Sequence, residues 1–234
     1  MSREKVIFLI NNQNQTTGSI SGPQSTITLG SAYSTGRVLL KGKDNKTRCS
    51  FQGDNGRGYL GGHGKGADLF LFPSTGDHKT ASQATIHLSA ERGDIILRNA
   101  DCAEDFDAAD AALVDAGTVM SLNAAGQLCR SSTPYDTKVV GVVSGAGDFK
   151  PGIVLDKHPE REDRLPIALV GKVFCRVDAS RHPIDVGDML TTSDRPGHAM
   201  KAVDPLQAFG AVIGKALRPL STGQDLIPIL VSLQ

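Results

Sequence analysis

The sequence has little of several features that indicate a ligand site or a nucleic-acid partner. It contains no tryptophan, and aromatic residues make up 5% of its 234 residues. A large aromatic-lined ligand site, or a platform for stacking bases, would have few residues to build it. Neither charge sign is in excess, because 25 Lys and Arg balance 25 Asp and Glu. This balance argues against binding of nucleic acid and leaves self-association with little electrostatic opposition.

Long apolar runs and a secretion signal are also missing. The longest apolar run near the start is Val6–Ile10, far too short to cross a bilayer. Only Arg3 and Lys5 precede it as charges, and no small-residue cleavage site follows. We therefore expect no signal peptide, synthesis in the cytoplasm and no insertion into a membrane.

Cysteine pairs with the spacing CxxC are absent, although the chain has four cysteines: Cys49, Cys102, Cys129 and Cys175. We expect reduced, mostly buried thiols, with a disulfide or a thiolate metal site as the alternatives. No pattern in the sequence predicts a cofactor or a metal site.

What the chain does have, over residues 27–99, is a repeated pattern of strand, glycine turn and strand. The units are 49–51 with 58–60, 86–88 with 95–97, and 27–29 with 38–40. The first two are offset by 37 residues, and the third has a slightly longer loop. Alternating side chains without a helical period favour short strands, which bury a face only by stacking on further copies.

The segment GRGYLGGHGKGAD, residues 56–68, begins with the spacing G-x-G-x-x-G. A dinucleotide site requires a strand before this motif and a helix after it, whereas residues 67–72 are typical of a strand. The P-loop pattern fails as well, because Gly66 follows Lys65 where Ser or Thr is needed. We interpret these glycines as turn residues and His63 as a solvated residue among them.

The composition changes near residue 100, where an acidic, alanine-rich segment begins. Residues 99–117 contain six acidic residues and no basic one. Residues 108–114 are long enough for about two helical turns. We interpret residues 100–116 as a linker, with a calcium site as the alternative, although the D-x-D-x-D-G order of an EF-hand is missing.

The remainder, residues 117–234, predicts a second unit rich in strands. The expected strands are 118–122, 138–144, 152–155, 167–177, 189–192, 211–216 and 226–233. A single short helix is expected at 204–208. The predicted fold class is all-β: an N-terminal segment at 1–26, a repetitive β shaft of β-helix or stacked-strand type at 27–99, the linker, and a β-rich head at 117–234.

Four segments of this second unit resemble a known family. They are YDTKVVGVVSGAGDFKPGIVL, LPIALVGKVFCRVDA, PIDVGDMLTTSDRPGHAMKA and AFGAVIGKALRPL. Together they are similar to the C-terminal autocleavage and intramolecular-chaperone domain of phage tail-appendage proteins, a block that recurs in bacterial proteins of unknown role. The resemblance implies a trimeric β-helical shaft before the domain, a role in aligning three chains, and self-proteolysis in some members.

Self-cleavage would require an activated nucleophile. The candidates are Ser193 and Asp194 with His198, and the Asp101-Cys102 junction. Three triad residue types within six positions of one turn are poorly placed for catalysis, because triads are assembled from distant residues. The alternative is a structural role for the segment V-G-D-M-L-T-T-S, residues 186–193. In this role Asp188 closes a turn and Gly187 supplies a positive φ. Four other positions in the segments that carry the resemblance have the same structural interpretation: Gly197, Lys201, Gly214 and Lys215.

Three functions are compatible with these observations. The first is a structural protein, a homotrimer that serves as a spike, fibre or tail-associated component of a virion or phage-tail-like particle, with other tail or injection-machine components as partners. The second is a self-cleaving chaperone domain. The third is a module for carbohydrate or another small ligand, built on the few clustered aromatic residues: Tyr33, Tyr59, Phe70 and Phe72.

Overall fold

The computed structural model describes residues 6–10, 13–14, 16–21, 26–29, 35–41, 43–53, 57–62, 66–72 and 84–232. The chain divides into two compact units, Met1–Ile96 (unit 1) and Leu97–Gln234 (unit 2). Nearly all regular structure is in strands, so the predicted all-β class is confirmed. Within the described ranges no helix is long and apolar enough to span a bilayer.

The described residues of unit 1 form nine short strands, of which the last ends at Leu97, the first residue of unit 2. They are β1 Val6–Ile10, β2 Thr16–Ser21, β3 Thr26–Leu29, β4 Arg37–Lys41, β5 Thr47–Gln52, β6 Arg57–Leu60, β7 Asp68–Leu71, β8 Ile86–Ser89 and β9 Asp94–Leu97. They form three separate three-stranded sheets with the orders β1-β2-β3, β4-β5-β6 and β7-β8-β9. Each sheet joins strands that follow one another in sequence, as expected where the connections are short.

In two of the three predicted units, the two strands lie next to each other in one sheet. Cys49 pairs with Leu60 and Phe51 with Gly58 in the β5–β6 hairpin, and β8 lies beside β9. Gly93, with φ +73°, forms the tight β8–β9 turn. In the third unit, 27–29 and 38–40 are both strands, as predicted, but they are not paired with each other. β3 pairs with β2 and β4 pairs with β5, so the two segments belong to different sheets.

Unit 2 contains ten further strands, which form one sheet. They are β10 Asp101–Asp107, β11 Val119–Leu122, β12 Leu128–Arg130, β13 Val139–Val143, β14 Pro151–Leu155, β15 Arg164–Asp178, β16 Met189–Thr192, β17 Ala199–Lys201, β18 Val212–Ala216 and β19 Gln224–Ser232. Every strand predicted for this half is present within a few residues of its expected bounds. Alternating apolar residues made these strands visible in the sequence.

Five strands of unit 2 close into a ring around the main core. β15 pairs with β17, β17 with β16, β16 with β18 and β18 with β19, and β19 returns to β15. Inside lie fully buried aliphatic side chains, including Val173, Leu190, Ile213, Ile227 and Ile229. Their burial supplies the hydrophobic stabilisation of this unit.

The remaining strands extend this ring into a second, smaller core. The order β12-β11-β13 continues from β15, and Met120, Leu128 and Ile167 are buried between these strands and their connections. The ring and its extension therefore share the long strand β15.

Residues 101–107, which lie within the predicted linker at 100–116, form β10 instead. This strand pairs in parallel with β14 and antiparallel with β15. The linker interpretation relied on the acidic composition of the segment. That composition is compatible with a strand because cations more than 50 residues away pair with its carboxylates, Lys157 with Asp105 and Arg164 with Asp107. The expected two helical turns at 108–114 are reduced to a 3-10 turn at Ala111–Leu113.

The short helix α1, Pro205–Ala208, lies where the sequence predicted it. The Asp204 side chain caps it by accepting hydrogen bonds from the backbone N–H groups of Leu206 and Gln207. Pro205 occupies the first helical position, where no backbone donor is required.

Candidate functional site

The candidate site lies at the turn between β16 and β17. Ser193 follows β16, and its backbone N–H donates to the His198 carbonyl oxygen at 3.0 Å. Gly197 adopts φ +72° in this turn, and a Cβ there would lie 2.7 Å from Thr118 Cγ2. The turn is therefore packed against Thr118, just before β11, and is also closed by its own hydrogen bonds.

The Ser193 hydroxyl group takes part in this turn. It accepts a hydrogen bond from the Arg195 N–H at 3.1 Å and donates to Asp194 Oδ1 at 3.3 Å. Ser193 is also buried. A hydroxyl group held in this way stabilises the turn, and its contact with Asp194 does not supply the oriented base that a nucleophile needs.

His198 lies on a different side of the turn. Its Nδ1–H donates to the Pro196 carbonyl oxygen at 2.9 Å. The ring lines a small cleft of about 150 Å³ with Asp115, Arg130 and Arg176, whereas Ser193 lines another cleft. The structure thus brings Ser193 and Asp194 together but does not bring His198 to them as a catalytic base.

The larger cleft, of about 470 Å³, contains Ser193 and Asp194. Its polar walls come from the last residues of β15 and β17 and from the segments that follow β15 and β16: Asp178, Ser180, Arg181, His182, Arg195 and Lys201. The cations in it are paired. Arg195 Nε lies 3.0 Å from Asp178 Oδ2, and Arg181 pairs with Asp194. The arginine charges of the cleft are therefore balanced by its own aspartates, which disfavours binding of a charged ligand.

Asp178 shows how these contacts act on a carboxyl group. Its partial burial acts to raise its pKa, but hydrogen bonds from Ser180 and Arg195 outweigh that effect, so the pKa lies below its usual value. The Ser180 N–H donates to Asp178 Oδ1 at 2.9 Å. Asp178 is ionised at neutral pH and binds two neighbouring segments together.

The predicted turn residues Gly187 and Asp188 lie beside this cleft, in the loop that leads into β16. Gly187 has φ +91°, and the Asp185 N–H donates to Asp188 Oδ2 at 2.7 Å. Lys201 Nζ lies 2.7 Å from the same Oδ2 atom. Burial acts to raise the pKa of Asp188, but the Asp185 amide and Lys201 lower it more strongly.

Two further motif positions lie in β18. A Cβ at Gly214 would stand 2.1 Å from the Leu230 carbonyl oxygen, so only glycine permits the close approach of β18 and β19. Lys215 follows it with an exposed side chain. Neither residue contributes to the large cleft.

The aromatic residues of unit 1 that were candidates for a ligand site do not form a single site among the described residues. Tyr59 is exposed in β6, whereas Phe70 stacks on His87 at 4.2 Å and lies 6.4 Å from Phe72 within another part of the unit. Tyr33, His63 and Lys65 lie outside the described residues.

The cysteines and the potential metal ligands form no additional reactive or metal-binding site within the described ranges. All four cysteines are free; Cys175 is buried and the other three are partly exposed. Burial raises the pKa of Cys175 far above its usual value, which keeps this thiol protonated and unreactive. No group of three or more potential metal ligands is found in the described part of the chain.

A charged cluster that the sequence did not predict lies at the far end of β10. Arg164 Nη2 donates to Asp156 Oδ2 and to the Asp105 carbonyl oxygen, both at 2.6 Å. Hydrogen bonds from Arg164 and His158 lower the pKa of Asp156. The alternation of acidic residues at 101, 105 and 107 was the available signal, because it places them on one face of a strand.

No family model matches the chain, and neither does any curated protein. Two solved structures of a bacteriophage protein are similar to it. The first is the pre-mature gene product 12 of bacteriophage phi29, with 15% identity and a TM-score of 0.42; the match covers 64% of this chain and 25% of that one. The second is the C-terminal fragment of the same gene product, with 15% identity and a TM-score of 0.37. That match covers 56% of this chain and all of the fragment.

Proposed function

We propose that the chain is a structural protein that assembles as a homotrimer, with unit 1 in a shared shaft and unit 2 as its head. In this proposal the assembly is a spike, fibre or tail-associated component of a phage-tail-like particle. Its partners are two further copies of the same chain and other components of the tail or injection machine.

The observation that carries the proposal is that unit 1 exposes its apolar side chains. Among the residues of unit 1 whose side chains are described (13–14, 29, 35–41, 43–53, 57–62, 66–72 and 84–96), only Ser50, Ala84 and Ser89 are buried, and none of these is large. Large apolar side chains are exposed on all three sheets: Leu29, Val38, Leu39, Leu40, Phe51, Tyr59, Leu60, Leu69, Leu71, Ile86, Leu88 and Ile95. Exposed apolar surface on this scale is typical of a face that another chain covers.

Open sheet edges support the same conclusion. Each three-stranded sheet of unit 1 ends in two outer strands, and small isolated sheets of this kind are marginally stable alone. Unpaired edges with apolar side chains promote uncontrolled pairing unless they are covered. Three chains around a closed symmetry axis would cover the edges and limit further growth.

Unit 2 provides the contrast within the same chain. It buries Ile167, Leu190, Ile213 and Ile229 completely, so it has a core of its own. The motif resemblance described for residues 117–234 supports a role for this unit in aligning the chains. The paired charges around Ser193 favour this structural role over self-cleavage.

A matched pair of substitutions tests the proposal. Ile95 in unit 1 is 73% exposed and Leu113 in unit 2 is 70% exposed in the single chain. Ile95→Asp should lower the association constant at least about tenfold, because a buried aliphatic side chain contributes about 1.5–3 kcal/mol in each copy. Leu113→Asp should assemble like the unaltered protein.

Sedimentation at several concentrations measures both variants, and circular dichroism verifies that each retains its strand content. Equal assembly of Ile95→Asp and Leu113→Asp would overturn the proposed role of unit 1.

A further inference from the structure

The first residue of β10 is a buried carboxylic acid without a partner. Asp101 is 6% exposed, and neither of its carboxyl oxygens accepts a hydrogen bond from the described residues. Buried polar groups in proteins are almost always hydrogen-bonded, and an isolated buried carboxylate is costly. A carboxyl group in this position requires an explanation.

The surrounding backbone holds Asp101 firmly. β10 lies between β14 and β15, where Asp101 pairs with Pro151 and Gly171. A Cβ at Gly171 would stand 2.5 Å from the Ala100 carbonyl oxygen. The strands are therefore in close contact at this point, which leaves the carboxyl group little freedom to move towards solvent.

Asp105, on the same face of β10, shows what Asp101 lacks. Lys157 Nζ lies 3.3 Å from Asp105 Oδ2, so that buried carboxylate has a cation. The cations beside Asp101 have other contacts. Lys150, before β14, donates to the Gly145 carbonyl oxygen, and Lys172 on β15 lies over the Phe149 ring, 5.2 Å from its centre.

One polar side chain does lie against Asp101. Ser144, which follows β13, is buried, and its hydroxyl group also lacks a hydrogen-bond partner. The two groups are close enough for Ser144 to lower the pKa of the Asp101 carboxyl group, although they do not meet the geometry of a hydrogen bond. A protonated carboxyl group could donate to this hydroxyl oxygen, whereas an ionised one can only accept.

We propose that Asp101 is a proton-binding site, protonated in folded unit 2 and donating to the Ser144 hydroxyl group, so that acidification strengthens the attachment of β10 to β14 and β15. Burial raises the pKa of Asp101 above its ordinary value of 3.8, against a smaller opposite effect of Ser144. The folded state then binds the proton more tightly than the unfolded state. Stability therefore falls as the pH rises from the ordinary pKa to the raised one.

Hydrogen exchange of the intact protein tests this proposal. In the unaltered protein, the protection of amides 101–107 should fall by up to tenfold per pH unit across the titration of Asp101, after correction for the intrinsic exchange rate. Asp101→Asn should abolish this dependence. Asp148→Asn, which removes an exposed carboxyl group in a nearby loop, should leave it unchanged.

Infrared spectroscopy provides a second readout, which does not depend on the stability of the variant. In a pH titration, the C=O band of one protonated acid should persist in the unaltered protein above the range in which ordinary carboxyl groups ionise, and Asp101→Asn should lack it. Ser144→Ala should shift that band. Absence of the band, or the same pH dependence of β10 protection in Asp101→Asn, would overturn the proposal.

Discussion

The Lys201 ammonium group lies 2.7 Å from Asp188 Oδ2 and so ties the end of β17 to the loop before β16. The same carboxylate oxygen accepts the Asp185 N–H at 2.7 Å. One carboxyl group thus closes its own turn and holds a neighbouring strand. Asp188 therefore makes the turn-closing contact that the structural interpretation of this segment predicts.

Removal of this carboxylate should destabilise unit 2. Asp188→Ala leaves the Asp185 amide without its acceptor, and we expect a loss of about 1 kcal/mol in the free energy of unfolding at neutral pH. Because the folded pKa of Asp188 is lowered, its contribution is present above the ordinary value of 3.8 and disappears as the pH falls through the folded value. Thermal unfolding of both proteins at neutral pH and near pH 3 measures this. An equal difference in stability at the two pH values would contradict the assignment.

Gly214 should tolerate no side chain. Gly214→Ala places a methyl group where the Leu230 carbonyl oxygen lies, so β18 and β19 must separate, at a cost of about 3 kcal/mol. Gly152→Ala is the matched control, because the added Cβ would meet only ordinary contacts, 3.4 Å and more from its neighbours. Urea unfolding compares the two variants. Similar midpoints would show that the close approach at Gly214 is unimportant.

Ser193 should have no part in backbone cleavage. Its hydroxyl group is committed to the turn at Asp194 and Arg195, and His198 faces another cleft. We expect the unaltered protein and Ser193→Ala to keep the full mass of 24.7 kDa during storage, as measured by mass spectrometry of the intact chain. A fragment that forms in the unaltered protein and is missing from Ser193→Ala would restore self-cleavage at this turn.

Cys175 should resist alkylation in the folded protein. It is fully buried, and burial keeps its thiol protonated, whereas Cys129 is partly exposed. Iodoacetamide at mildly alkaline pH should modify Cys129 and leave Cys175 intact, and denaturant should make both reactive. Peptide mass mapping follows each site. Equal rates at the two cysteines before denaturation would show that the core around Cys175 opens readily.

Local patterns account for what was predictable in this chain. The strands of unit 2 alternate apolar and polar residues, and Asp204-Pro205 marks the start of the short helix α1. Contacts distant in sequence account for the errors. β10 was hidden because its acidic residues are matched by Lys157 and Arg164, and no local pattern shows that β3 pairs with β2 and not with β4.

The candidate site was predictable only in part, for the same reason. Ser193 and Asp194 were found together because they are adjacent in sequence. The ion pairs that neutralise their cleft, Arg181 with Asp194 and Arg195 with Asp178, depend on the folded positions of separate segments. The orphaned carboxyl group of Asp101 becomes visible only once β14 and β15 surround it.

The mass of the assembly in solution tests the central claim most directly. Light scattering coupled to size-exclusion chromatography at micromolar concentration should return three copies of the 24.7 kDa chain, about 74 kDa. A single species of one chain mass would contradict the account, because the apolar strands of unit 1 would then be stable without any covering chain.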